Sequence, residues 1–184
     1  MRNAMQVFAT RGYARTTVAD IVAGTDYSPG AFYHHFANKA ECLWAVIDYR
    51  REIRRSWADL ADELDPVGAS LEDLVAEAFA RLSTTLEGTH AWTMVMVEYY
   101  RAHGDEPGVD VRLADLYDQW VAEVAVFVRF LQDNGLVDAE RDPTTVASQV
   151  VAFAEGFATH AQVHGIAASR YGAALYDGSL RLLR

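Results

Sequence analysis

Residues Thr17 to Lys39, reading TVADIVAGTDYSPGAFYHHFANK, constrain the fold more than any other stretch of the chain. They hold two short helical patterns separated by a tight turn. Thr17 with Asp20 three residues later has the spacing of a capping box, in which each side chain takes up a backbone N–H of the other residue. Ile21 and Val22 supply the apolar side of a helix that has to end near Gly24. Asp26 tolerates a left-handed backbone and is expected to make the turn. Ser28 caps a second helix, with Pro29 at the first position, where a missing N–H costs nothing. Phe32 and Phe36, four apart, share one face and are expected to point inward, which sends Tyr33 and His34 elsewhere. Gly30 and Ala31 are small and let the backbone approach a surface closely. Asn38 caps a third helix that opens with Lys39 and has Glu41 three residues after the cap. Two helices in this relation are how a helix-turn-helix presents a helix to the major groove of DNA.

Charge is distributed to match. The net charge of −10 argues against binding a polyanion if taken as an average, but residues 1–55 carry eight basic and five acidic side chains. Residues 56–184 carry eight basic against twenty-one acidic. The single lysine, Lys39, falls beside the second helix of the motif. A mildly basic tip on an acidic body contacts phosphates while the body is repelled, which orients the approach and makes binding salt-dependent.

The segment from Ala4 to Ala45 resembles the TetR family of bacterial transcriptional regulators. The likeness is carried by the F-x-x-x-G-Y run at Phe8, Gly12 and Tyr13, the paired threonines, the helix at Ile21, and the G-x-x-Y-x-x-F-x-x-K ending at Gly30, Tyr33, Phe36 and Lys39. Two features depart from the family. Thr25-Asp26-Tyr27 stands where Ala-Gly-Val is usual, which implies a small loss of stability rather than a different fold. The chain starts at Met1 with only Arg2 ahead of Asn3, whereas family members usually begin earlier, often with a basic arm; the chain is either truncated or lacks that minor-groove contact.

The resemblance implies a DNA-binding domain over 1–45 and a ligand-binding and dimerisation domain over 46–184, with three helices in the first and six in the second. It implies a repressor that binds palindromic, double-stranded operator DNA as a dimer and is released by a small apolar or aromatic effector. Thr17 and Ser28 would bind phosphates through hydroxyls and helix-start amides. Tyr33 and Lys39 would grip the backbone, and Gly30, Ala31 and His34 would face base edges. Half-sites about one turn apart, ~34–36 Å, suit such a dimer.

Beyond Lys39 the pattern is helical throughout, so the fold class is all-α. Helices are expected from Asn38 to Leu64, from Ser70 to near Gly88, from Trp92 to His103, from Val109 to Asn134, from Pro143 to about His164, and from about Ser169 to Arg184. The last two are candidates for the dimer contact: Val146, Val150, Phe153, Phe157 and Ala161 recur at spacings of three and four, and Leu175, Leu180, Leu182 and Leu183 line the final helix. Spacing alone serves an internal core equally well. Family members pair through these helices as a four-helix bundle.

Trp92, Met96, Tyr99 and Tyr100, with Trp120, Phe127 and Phe153, are the candidate lining of an effector pocket, since large flat side chains with polar tips suit an apolar ligand held by a few hydrogen bonds. A buried, unpaired Glu98 would favour a cationic ligand. Any one of these aromatics is more often ordinary core.

Other chemistries are poorly served. His160 and His164 have a metal-binding spacing but no third ligand tied to them, so no metal site is expected. Arg50, Arg51, Arg54 and Arg55 are expected to pair with the acidic body. One cysteine, Cys42, excludes an internal disulfide framework and fits the cytoplasm; a redox role would need a depressed pKa. No apolar run is long enough to span a membrane. No activated nucleophile or glycine-rich phosphate loop appears, so neither an enzyme nor a cofactor is expected. The alternative is an all-helical small-molecule binding protein that does not read DNA.

Overall fold

The computed structural model describes residues 1–53, 56–82, 89–166 and 168–184. The described residues form helices joined by turns, with no strand among them. The chain divides into two compact units, one of Met1–Arg54 with Ala91–Val109 and one of Arg55–His90 with Asp110–Arg184. The first unit therefore draws a helix from the region that the sequence assigned to the ligand-binding domain.

In the first unit, α1 (Arg2–Arg11) buries Ala4 and Phe8, one turn apart. α2 (Val18–Val22) begins at the expected capping box, with Thr17 accepting from the Asp20 N–H. α3 (Pro29–His35) begins at Ser28, whose side chain accepts from the Ala31 N–H at 3.1 Å. α4 (Lys39–Ile53) buries Cys42, Leu43, Trp44, Val46 and Ile47. The Asn38 side chain accepts the Glu41 N–H, and the Glu41 carboxylate accepts the Ala37 N–H. Part of α7 (Thr89–His103) completes this unit, with Val95, Met96 and Tyr99 buried.

The turn between α2 and α3 differs from expectation. Its left-handed residue is Gly24, at φ 73°, and among the described residues no non-glycine residue has positive φ, Asp26 included. Glycine, lacking a β-carbon, takes that conformation without the steric cost that Asp26 would meet. The Thr25 hydroxyl then donates to the Val22 carbonyl and accepts the Tyr27 N–H, which closes the turn. Asn3 holds it against α1 by donating to the carbonyls of Ile21 and Ala23, the open end of α2.

The single helix expected from Asn38 to Leu64 is two. α4 is described as far as Ile53, and α5 (Trp57–Glu63) starts afresh at a Ser56–Asp59 capping box, with Ser56 in an extended conformation. The S-x-x-D spacing was present in the sequence, but an uninterrupted helical pattern obscured it.

In the second unit, α6 (Leu71–Arg81) begins at the Ser70–Asp73 box. The expected continuation toward Gly88 lies outside the described residues. α8 (Val109–Asp133), α9 (Pro143–His164) and α10 (Ala168–Leu183) match their expected spans closely. Asp142 caps α9 by accepting the N–H and hydroxyl of Thr145. α10 packs on α9 and α6. The core joins Leu60, Leu74, Val75 and Ala78 with Phe127, Val128 and Leu131. Val146, Val150, Leu180 and Leu183 are also in this core, while Ala161 and Leu175 pack in a neighbouring cluster. Those side chains, expected at a dimer contact, are thus spent on the chain's own interior; the small residues Ala152 and Gly156 are exposed on α9.

Candidate nucleic-acid interface

α3 is short and sharply two-sided. Phe32 is 4% exposed and lies 5.2 Å from the half-buried Phe36 ring, which pins the inner side. Tyr33 is 58% exposed and Tyr27 63%. Ser28, Pro29, Gly30, His34 and His35 are exposed too, and Ala31 is half-buried. A β-carbon built on Gly30 would meet only the Ser28 hydroxyl oxygen, at 3.6 Å, so the helix start is open to a close-fitting surface. The Tyr33 ring stands edge-on to Phe32 at 5.3 Å, and the residue is otherwise exposed.

The start of α2 carries more internal bonding than the sequence suggested. The Asp20 carboxylate accepts the Thr17 N–H at 2.9 Å and the Thr17 hydroxyl at 2.7 Å, and it pairs with Arg11. These hydrogen bonds, first those from Thr17 and then the Arg11 charge, hold the Asp20 carboxyl below its usual range. Thr17 is exposed, but its hydroxyl proton is already directed to Asp20.

Lys39 is half-buried: its ammonium donates to the carbonyls of Tyr13 and Thr16 at 2.7 and 2.9 Å and stands 4.2 Å from the centre of the Tyr13 ring. Burial lowers its pKa, and the negative charge of Glu98 opposes that shift. Two of its three N–H groups hold the turn between α1 and α2, which leaves one for an outside acceptor.

That turn is anchored on α7 as well. The Tyr13 hydroxyl lies 2.6 Å from His103 Nε2, and its ring meets Tyr99 edge-on at 5.3 Å. Burial, reinforced by Tyr99 and Glu106, pushes the Tyr13 phenol up to about 12. Trp44 Nε1 on α4 donates to the Tyr99 hydroxyl at 2.9 Å. Glu98 accepts the Ala14 N–H at 2.9 Å, so it is not the unpaired carboxylate that would have favoured a cationic ligand. None of these partnerships was legible in sequence, because they join residues as much as 90 positions apart.

The seven candidate pocket residues are divided between the two units. Trp92, Met96, Tyr99 and Tyr100 belong to the first unit, and Trp120, Phe127 and Phe153 to the second. Tyr99 is held in the internal cluster just described. Tyr100 is 53% exposed. The Trp92 ring carries the Arg50 guanidinium at 4.2 Å. Phe127 is packed against Trp57 and Phe130, and Phe153 lies over Gly178 on α10 and stacks on Phe157. Arg54 and Arg55 lie outside the described residues. The His160 and His164 rings are 4.3 Å apart, but among the described residues no three potential ligands form a metal site. Cys42 is buried, and burial raises its thiol to about 11, the reverse of a redox-active cysteine.

Comparison with known proteins gives a match to each half of the sequence. Residues 1–46 match the bacterial regulatory proteins of the tetR family, and residues 72–177 match the C-terminal region of BetI-type transcriptional repressors. The chain belongs to the TetR family of transcriptional regulators. It is 39% identical over 82 residues to the HTH-type transcriptional regulator TtgR of Pseudomonas putida, a match covering 43% of this chain and 39% of TtgR. The chain thus spans about two fifths of the length of that relative. It is 24% identical over 158 residues to the HTH-type regulator YwcC of Bacillus subtilis, covering 84% of this chain and 71% of YwcC. Its fold is shared by SmeT, the repressor of the Stenotrophomonas maltophilia multidrug efflux pump SmeDEF, with a TM-score of 0.67 at 22% identity over 98% of this chain and 86% of SmeT.

Proposed function

We propose that this chain is a ligand-responsive transcriptional repressor, acting in the cytoplasm, that binds palindromic operator DNA as a homodimer. The observation carrying this reading is the two-sided α3: Phe32 locked inside, and Gly30, Tyr33 and His34 open on the other side. Gly30 and Ala31 provide close apolar approach to base edges, and His34 provides a hydrogen-bonding ring. Tyr33, Ser28 and Thr17 contact phosphates, with Lys39 contributing its one remaining N–H. TetR-family membership supports the DNA and dimer parts of the reading. The effector part is supported by SmeT, which has been solved in complex with triclosan.

The dimer is formed by α9 and α10, through exposed small residues such as Ala152 and Gly156 rather than the buried stripe. An effector that favours one dimer state changes the separation of the two α3 helices, DNA affinity falls, and DNA weakens the effector by the same factor. The chain passes between the two units three times, at 54–55, 90–91 and 109–110, and these crossings carry the coupling.

Selection from random duplex DNA tests the whole reading. The expected product is an enriched palindrome with half-sites about one turn apart, ~34–36 Å; recovery of unenriched DNA rejects it.

A further inference from the structure

Within the second unit, α9 closes on two histidines one turn apart. His160 and His164 are both exposed, and their ring centres stand 4.3 Å apart with the planes 37° from one another. Phe157 stacks on His160 at 6.2 Å. The turn that carries the pair is fixed: Gly165 takes φ 62°, and the Ile166 N–H donates to the Ala161 carbonyl at 2.9 Å, the bond of a Schellman cap. Among the described residues no hydrogen bond or ion pair engages either imidazole.

An imidazole nitrogen binds a transition metal at about 2.0–2.1 Å, which puts the ring centre about 3.2 Å from the ion. Two rings at neighbouring corners of a square or octahedron then have centres about 4.5 Å apart, and at two corners of a tetrahedron about 5.2 Å. The observed separation is close to the first. Copper(II) takes that tetragonal arrangement and heads the divalent affinity order for nitrogen ligands. The position also suits a cation. The C-terminal end of a helix carries partial negative charge on its unpaired carbonyls. Residues 56–184, to which the pair belongs, hold eight basic against twenty-one acidic side chains. A closed structural site needs four ligands from the protein, and among the described residues no group of even three exists. Two imidazoles instead hold an ion whose other positions are open to water.

We propose that His160 and His164 form a two-histidine chelate for a divalent transition-metal ion, with Cu²⁺ the tightest of the series. Each ring gives one neutral nitrogen, and the bound ion clamps the last turn of α9 by joining residues four apart. The pair lies one and two turns beyond Gly156, and the inference is independent of the operator and effector readings.

Calorimetric titration of the purified, tag-free full chain with Cu²⁺ tests the proposal, run in excess Mg²⁺, which prefers carboxylate and other oxygen ligands. The wild-type chain is expected to keep its Cu²⁺ site under these conditions. His160→Ala and His164→Ala should each weaken it by about tenfold or more, because either leaves a single ring where there was a chelate. Electron paramagnetic resonance of the wild-type complex should show coupling to two imidazole nitrogens, a readout that needs no variant to fold. Equal Cu²⁺ affinity in wild type and either variant overturns the proposal. So does a wild-type chain that loses Cu²⁺ to Mg²⁺, or a spectrum with one imidazole or none.

Discussion

The Glu98 carboxylate on α7 accepts the Ala14 N–H at 2.9 Å and occupies the space where a β-carbon on Gly12 would stand, 2.6 Å from Oε2. Gly12 is also at φ 79°, so the close approach and the backbone conformation both demand glycine. The helix-turn-helix is thereby tied to α7 inside the first unit. Gly12→Ala is expected to destabilise the chain by more than about 1 kcal/mol, from left-handed strain and from displacement of Glu98. Thermal and urea melts measure this, and an unchanged midpoint would mean that the turn has another way to form.

Lys39 combines a structural and a binding role. Lys39→Ala leaves the carbonyls of Tyr13 and Thr16 without their charged donor. The expected loss is about 1–3 kcal/mol of stability, together with weaker binding to operator and random DNA alike. Melting curves and fluorescence anisotropy on both DNAs check the pair of effects. A variant with wild-type stability would assign the ammonium to DNA alone.

His34 is exposed on the open side of α3. His34→Ala should leave stability within about 0.5 kcal/mol, as for a surface site, while changing the sequence preference recovered by selection. An unaltered preference removes His34 from the base-reading set.

The extent of what could be read in advance followed the range of the interactions. The Thr17–Asp20 box, the Ser28 cap and the inward Phe32 were legible because their partners lie three or four residues away, within one turn. Gly24 is legible as a helix stop, but Asp26 beside it also suits a turn, and only the lower cost of glycine at positive φ separates the two. The break before α5 was missed because a Ser56–Asp59 box in a run of good helix formers does not disturb the periodicity. The bonds that fix Lys39 reach back 23 and 26 residues, and those that fix Glu98 and Tyr99 depend on α7 returning to the first unit; no local pattern announces either. Aromatic spacing marked stripes on α7 and α8 but could not say that they belong to different units.

Two groups of carboxyls give opposite pH dependences. Asp20, Asp73 and Asp142 are held below their usual range by hydrogen bonds from Thr17, Ser70 and Thr145 respectively. A depressed carboxyl contributes stability above its unfolded pKa and loses it as pH falls through the folded value. Acid titration of the urea midpoint should therefore show a decline that Ser70→Ala makes shallower.

Glu155 goes the other way, since burial raises its carboxyl above the usual range and the Tyr117 hydrogen bond only partly opposes it. The stability associated with its protonated form is complete below the unfolded pKa and is lost as pH rises through the raised one. Glu155→Gln removes that loss. The variant should melt above wild type at about pH 8 and close to it at about pH 4, below the ordinary carboxyl range. A midpoint difference that does not vary with pH would show that the carboxylate carries no burial penalty.

Cys42, the one cysteine of the chain, sits inside α4 with its thiol raised to about 11. It is therefore protonated at neutral pH and out of reach of alkylating reagents. A second cysteine placed on the open side of α3, at Tyr33 or His34, would be the only sulfur to take a dye or spin label. In the proposed dimer, the distance between two such labels could then be followed without first deleting the native residue.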